Sequence, residues 1–229
     1  AQYGAGVSGG SLTKLDKAVE FVDKIRGAKA RYFTTQPSTG ERLDRLKGQN
    51  KNYLVHEYLN EAWSLFYHTE VAELFAEAKT SFLGSSNLLD HVDALNLTPE
   101  QQELMQSVES PTLRETVRDF LSNAQFRRDV FVKGARPVSI LEGRERWLES
   151  RYVLSTLRSA VPMKVTGTLG EADLHDDVYK PLLDALADGA KTLRDMLKDP
   201  AIAALGWARL TQAMIVLCGG GHIQPCLDE

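Results

Sequence analysis

With 229 residues, 43% of them hydrophobic and 25% charged, the chain is long enough for one large or two small domains of ordinary globular composition. A formal net charge of −4 gives it no overall nucleic-acid footprint, and two cysteines, Cys218 and Cys226, exclude a disulfide framework. The longest apolar run, around Ala213 to Leu217, is far too short to span a bilayer, and no charged segment followed by an apolar one opens the chain; a cytoplasmic protein is expected.

In chain order, residues 1–10, AQYGAGVSGG, read as a flexible tail. Thr13 and Asp16 have capping-box spacing, and Leu15, Val19, Val22 and Ile25 follow on one helical face, with Gly27 as a stop. Residues 34–52 read as a connector, and YLVHEYLNEAW (53–63) favours a helix over a strand. Thr69 is positioned to cap a helix with Val71, Leu74, Phe75 and Ala78 inward, after which TSFLGSS is extended. Thr98-Pro99 and Ser110-Pro111 each place a cap before a first-turn proline, and Gln101 completes a capping box. Leu113, Val117, Phe120 and Leu121 are the expected buried stripe of the second of these helices, and FRRDVFVKG (126–134) fits a strand or a helix end.

Further on, MKVTGTLGEADL (163–174) reads as a strand or hairpin. Asp177 to Ala187 is helical, with Pro181 expected in its first turn. A short helix after Gly189, a helix from about Leu205 to Cys218, a Gly219–Gly221 stop and a final strand at HIQPCL complete a winged-helix order. The expected class is mainly α (α+β): a flexible tail at 1–10, a helical region at 11–135, a connector at 136–150 and a winged-helix-like region at 151–229.

Motifs that would carry chemistry are missing their contexts. Gly4, Gly6 and Gly9 match a dinucleotide-loop spacing, but no strand precedes them, and Gly219–Gly221 follow a helix where a cofactor loop would precede one. His56-Glu57 lacks the second histidine of a zinc-protease helix, since Asn60 stands three residues after Glu57. His56 therefore reads as a hydrogen-bonded structural residue or an interface residue. Arg127 and Arg128, with Asp129, either grip an anionic partner or a carboxylate, or pair internally with Asp119 or Glu115 on the preceding helix.

Taken together, YLVHEYLNEAW (53–63), HTEVAELFAEAKTSFLGSSNLLD (68–90), LNLTPEQQ (95–102) and LRETVRDFLSNAQFRRDVFVKG (113–134) are similar to the predicted methyltransferase regulatory domain. That domain occurs in bacterial methyltransferases, including ones resembling the protein-lysine methyltransferases of rickettsiae. The likeness continues more loosely through YKPLLDALADG (179–189) to GGGHIQP. It implies a regulatory or substrate-positioning segment of an S-adenosylmethionine-dependent methyltransferase, without catalysis of its own. The cofactor is then expected only in an absent catalytic domain, with none bound by this chain and no metal. The implied partners are that catalytic domain and a protein methyl acceptor, not nucleic acid or membrane.

Aromatic and arginine residues carry most interface energy, which marks His56, Glu57, Tyr58, Asn60, Trp63, Asn123, Gln125, Arg127 and Arg128 as the expected interaction residues. The alternative is a winged-helix module that binds nucleic acid or docks on protein. Arg209 is the sole basic residue of the 205–218 helix, so charge favours docking. A stand-alone enzyme would need a pocket lined by His56, Glu57 and Arg127.

Overall fold

The computed structural model describes residues 2–60, 62 and 64–227, and the chain divides into two compact units between Leu65 and Phe66. Helices dominate, accompanied by a few small antiparallel sheets, as the expected mainly α (α+β) class requires.

The first unit holds α1 (Gln2–Ala5), α2 (Ser11–Gly27), α3 (Arg31–Thr35), α4 (Pro37–Lys47) and α5 (Lys51–Tyr58). The glycine-rich start is not an extended tail throughout, because Tyr3 of α1 stacks on Phe21 with centroids 4.0 Å apart and 4° between the ring planes. Ring stacking supplies the ordering that the glycines withhold. Helix α2 starts from Gly10 without a side-chain cap, so the Thr13–Asp16 box lies inside a helix already under way. Helix α4 occupies most of the stretch expected as a connector. Pro37 sits in its first turn, where a missing N–H is harmless, and Leu43 is buried. Asn50 caps α5 by accepting from the N–H groups of Asn52 at 2.8 Å and Tyr53 at 3.3 Å. Leu15, Leu43 and Leu54 form the buried face, and Arg26–Asp44 at 2.8 Å and Lys47–Asp23 at 2.7 Å link α2 to α4 at the solvent-screened surface.

The second unit opens with α6 (His68–Glu77), β1 (Thr80–Ser85), a 3-10 turn at Leu88–His91, α7 (Asp93–Asn96), α8 (Pro99–Ser107), α9 (Pro111–Ser122) and β2 (Asp129–Lys133). Helix α6 begins before Thr69, with the Glu70 carboxylate accepting the Tyr67 N–H at 2.7 Å. Both cap-and-proline starts form. Thr98 Oγ1 accepts from Gln101 N at 3.3 Å while Gln101 Oε1 accepts from Thr98 N at 2.9 Å, and Ser110 Oγ accepts from Leu113 N at 3.3 Å. Strands β1 and β2 pair antiparallel with Phe82 opposite Phe131, so both ambiguous segments are strands. The expected stripe of α9 is only half right: Leu113 and Phe120 are 47% and 69% exposed, while Thr116 is buried between Glu115 and Asp119. A polar inward face wins because it has an arginine to satisfy.

Residues expected as a connector at 136–150 carry α10 (Ile140–Glu149), capped by Ser139 Oγ, which accepts from Glu142 N at 3.1 Å. Then come β3 (Arg151–Leu154), a 3-10 turn at Arg158–Ala160, β4 (Lys164–Gly167), β5 (Gly170–Asp173), α11 (Asp176–Ala185), β6 (Lys191–Thr192), α12 (Leu193–Met196), α13 (Pro200–Ala203), α14 (Trp207–Gly219) and β7 (Ile223–Cys226). Strand β3 is the middle of an antiparallel sheet ordered β6-β3-β7, and β4–β5 is a separate hairpin. Pro181 lies in the body of α11, not its first turn. The helix survives there because Val178, Leu182 and Leu183 on its inner face are buried, each worth about 1.5–3 kcal/mol against about 3 for the proline. Leu182, Leu183, Leu193, Met214, Leu217 and Ile223 have no measurable exposure and centre this core.

One junction welds this core to the α6–β2 region. Leu169 N, at the hairpin tip, donates to Leu95 O at 3.1 Å. Thr168 donates from its N and its Oγ1 to Asn96 Oδ1, both at 3.0 Å. Asn96 Nδ2 in turn donates to Leu89 O at 2.7 Å and Val92 O at 3.0 Å. Two glycines permit the approach: a Cβ on Gly167 would lie 2.3 Å from Leu95 O, and one on Gly219 would lie 2.8 Å from the Leu89 side chain. Val92, Val165, Leu174 and Val216 close the seam as a small apolar cluster. Among the described residues no helix is long and apolar enough to cross a membrane.

Candidate functional site

The most densely bonded polar cluster of the second unit is built where α9 faces the loop entering β2. Asn123 ends α9 in the left-handed conformation, φ 51°, and turns the chain back toward β1. That reversal brings Arg127 under the helix it has just left. Its Nε donates to Asp129 Oδ2 at 2.8 Å and its Nη2 to Asp129 Oδ1 at 3.0 Å, a bidentate grip. Nη1 donates to Asp119 Oδ1 at 2.6 Å and Glu115 O at 3.4 Å, and Nη2 also donates to Glu115 Oε2 at 2.8 Å. The guanidinium has five N–H donors, and these contacts occupy them. The internal-pairing alternative for Arg127 therefore describes the geometry, and its fork is not open to an anionic partner.

Burial alone would lower the Arg127 guanidinium, but its bonds to Asp129, Glu115 and Asp119 together hold it above its ordinary range. Burial pushes the Asp119 carboxyl up, against the opposing effect of the Arg127 bond. Arg118 extends the network, donating from Nη1 to Asp93 Oδ1 at 2.6 Å and lying 3.6 Å from Glu115 Oε1.

His68, the first residue of α6, is the buried edge of this cluster. Its side chain is 0% exposed, and Nδ1 lies 3.1 Å from Asp129 Oδ2. Asp129 is gripped twice by Arg127 and acts as an acceptor, so Nδ1 is the donor in this pair. Nε2 is buried with no hydrogen-bond partner. The ring meets Phe82 edge-on at 4.6 Å, and Phe131 continues the aromatic layer to Phe75 at 4.4 Å. Sequence reasoning missed His68. Its available signal was position alone, a histidine at the first turn of a helix; the stripe expected to turn inward is mostly exposed, with Leu74, Phe75 and Ala78 facing out, and that shows only in the structure.

Two clefts flank the cluster. One, about 510 Å³, runs past Asn87, Asp90, Asn96, Arg118, Arg128 and Thr168. The other, about 630 Å³, has Phe66, Phe75 and Phe131 on its walls and His68, Asp119 and Asp129 at its polar end. Of the expected interaction residues, Arg127 lines both clefts, Arg128 the first and Gln125 the second. Arg128 and Gln125 are exposed, and Asn123 serves as the turn. His56 and Glu57 line neither cleft; with Tyr58 they belong to α5 of the first unit, where His56 is exposed. Asn60 accepts from Ala62 N at 3.1 Å, closing a local turn, and Trp63 lies outside the described residues. Among the described residues no group of three or more histidine, cysteine or acidic side chains is arranged to hold a metal ion.

Comparison with known proteins places this geometry. Residues 50–133 match the predicted methyltransferase regulatory domain, the same stretch in which the sequence blocks resemble it. An uncharacterized protein of Synechocystis sp. is 40% identical over 228 residues, which is 100% of this chain and 45% of that protein. Among solved structures, PKMT2 from Rickettsia typhi shares the fold at 15% identity and a TM-score of 0.56, over 93% of this chain and 46% of that one. The same protein in complex with AdoHcy aligns over 96% of this chain and 46% of its own, again at TM-score 0.56 and 15% identity. The chain thus spans about half the length of the relatives it matches.

Proposed function

We propose that this chain is the regulatory or substrate-positioning part of an S-adenosylmethionine-dependent methyltransferase, and that methyl transfer is carried out by residues outside it. The observation that carries this reading is the regulatory-domain match over residues 50–133. Likeness of fold to PKMT2, which has been solved with AdoHcy, supports the link to methyl transfer. The glycine clusters support placing the cofactor elsewhere: Gly4 sits within a four-residue helix and Gly219 in the last turn of α14, neither of them a loop between a strand and a helix. On this reading the partners are a catalytic domain and a protein methyl acceptor.

The sheet order β6-β3-β7, with α12, α13 and α14 between β6 and β7, supports a winged-helix-like end used for docking on protein. Nucleic-acid binding has less support, because Arg209 is the one basic residue of α14 and lies 3.1 Å from the carboxylate of Asp177.

The test is methyl transfer by the catalytic half of the full-length relative, with and without this chain added. The expected result is a change in kcat or KM on addition. Stoichiometric, saturable binding of S-adenosylmethionine by the chain alone in a calorimeter would sink the reading.

A further inference from the structure

Strand β2 is paired on one side only. The sheet it shares with β1 has two strands, and beyond that pairing no hydrogen bond reaches the backbone of Asp129–Lys133 among the described residues. An open edge of this kind is a template for another strand, and proteins blunt it with bulges, prolines, charges or a covering side chain. Strand β1 carries two of these devices. Its register shifts between Phe82 and Gly84, and the His91 ring lies against Gly84, with Nε2 donating to Ser85 O at 2.9 Å. Strand β2 carries neither. Each of its residues is paired in register, it has no proline, and its middle is Val130, Phe131 and Val132, residue types that favour strands.

These five residues complement themselves. Laid antiparallel against a second copy about Phe131, the sequence DVFVK places Phe131 opposite Phe131, Val130 opposite Val132 and Asp129 opposite Lys133. Asp129, Phe131 and Lys133 alternate onto one face of the strand. At the Asp129 end, Asp93, Glu115, Asp119 and Asp129 share Arg118 and Arg127, so carboxylates predominate. At the other end Lys133 is exposed and makes no ion pair among the described residues. Each copy therefore brings a free ammonium to the acidic end of the other. The central pair extends the aromatic layer in which Phe131 stacks on Phe75 at 4.4 Å.

We propose that the chain self-associates through β2, two copies pairing edge to edge across a two-fold axis at Phe131 into one sheet ordered β1-β2-β2-β1. Such a contact uses the same surface on both copies and closes on itself. The inference concerns assembly and stands independently of the methyltransferase reading.

The test follows the full chain by sedimentation from dilute solution to about 1 mM, with hydrogen exchange at both extremes. A concentration-dependent dimer is expected, with amide protection rising in β2 and unchanged in α14. Lys133→Glu sets like charges opposite each other at both ends of the ladder and should weaken the dimer about tenfold. Val130→Lys, at an exposed position outside the Arg127 network, also weakens it and separates loss of the contact from loss of the fold. In a dimer mixed from labelled and unlabelled chains, nuclear Overhauser contacts should join Val130 of one copy to Val132 of the other. A chain still monomeric at about 1 mM, or a dimer that forms equally well with both substitutions, overturns the proposal. A monomeric chain whose β2 amides are protected by an added peptide of alternating valine and threonine overturns it too, and assigns the edge to a foreign strand.

Discussion

Between β3 and β7 the buried side chains are apolar, Leu182, Leu193, Met214, Leu217 and Ile223 among them; between α6 and β2 Val92, Leu97 and Met105 are joined in burial by His68, Asn96 and Thr116, while Phe75 and Phe120 face solvent. Both regions belong to one compact unit, yet they are held by different forces. The first gains from apolar area, which is additive and tolerant of small shifts. The second gains from a closed set of hydrogen bonds and ion pairs, which fail together when one member is lost. A region organised in this way leaves aromatic surface outside and keeps titratable groups inside, a combination suited to recognition more than to rigidity.

Four measurements break or sharpen that contrast. The largest effect is expected from Leu217→Ala, which should cost about 2–5 kcal/mol in urea unfolding, with hydrogen-exchange protection falling across the whole second unit. Arg127→Met comes next. It leaves Glu115, Asp119 and Asp129 without their shared cation and should cost about 3 kcal/mol, with exchange rising first in α6, α9 and β2. Uniform loss of protection in both regions would show the network to be no separate layer. Asn96→Ala removes the hub between the regions and should cost about 1–3 kcal/mol while uncoupling their exchange behaviour.

The smallest effect is a pH dependence. Asp119 binds its proton more tightly folded than unfolded, so its contribution to stability is present below the ordinary value of 3.8 and is lost as pH rises through the elevated folded value. The stability difference between wild type and Asp119→Asn should therefore shrink as pH rises above 3.8. A difference that grows with pH would reverse the sign assigned to that carboxyl.

Legibility from sequence followed the same division. Local signals worked where local chemistry decides: the Thr98 and Ser110 caps, the β4–β5 hairpin and the glycine stop after α14 all appear as expected. The apolar stripe argument failed on α9, where Glu115 and Asp119 turn inward to meet an arginine that periodicity does not register. It also placed Pro181 in a first turn, because tertiary burial of Leu182 and Leu183 is invisible in a helix-start pattern. Arg127 is legible with Asp129 beside it and with Asp119 and Glu115 as its internal partners, but His68 is not, since it lies 61 residues from Asp129. The segment 34–52 read as a connector for its glycines and asparagines, yet a first-turn proline and buried Leu43 suffice for α4.

The hairpin tip seated on Leu95 and Asn96 has a consequence for where this protein can be cut. The recognisable segment, residues 50–133, begins in the first unit and stops short of the β4–β5 hairpin to which Asn96 is bonded. What matches as a block is therefore not what packs as a block. A cleavage or graft boundary at residue 134 would strip Thr168 and Leu169 from their acceptors and open Leu89 and Val92 to water. Transplanting the segment into another protein calls for a replacement hairpin with a glycine at the contact, or for carrying the chain through β7.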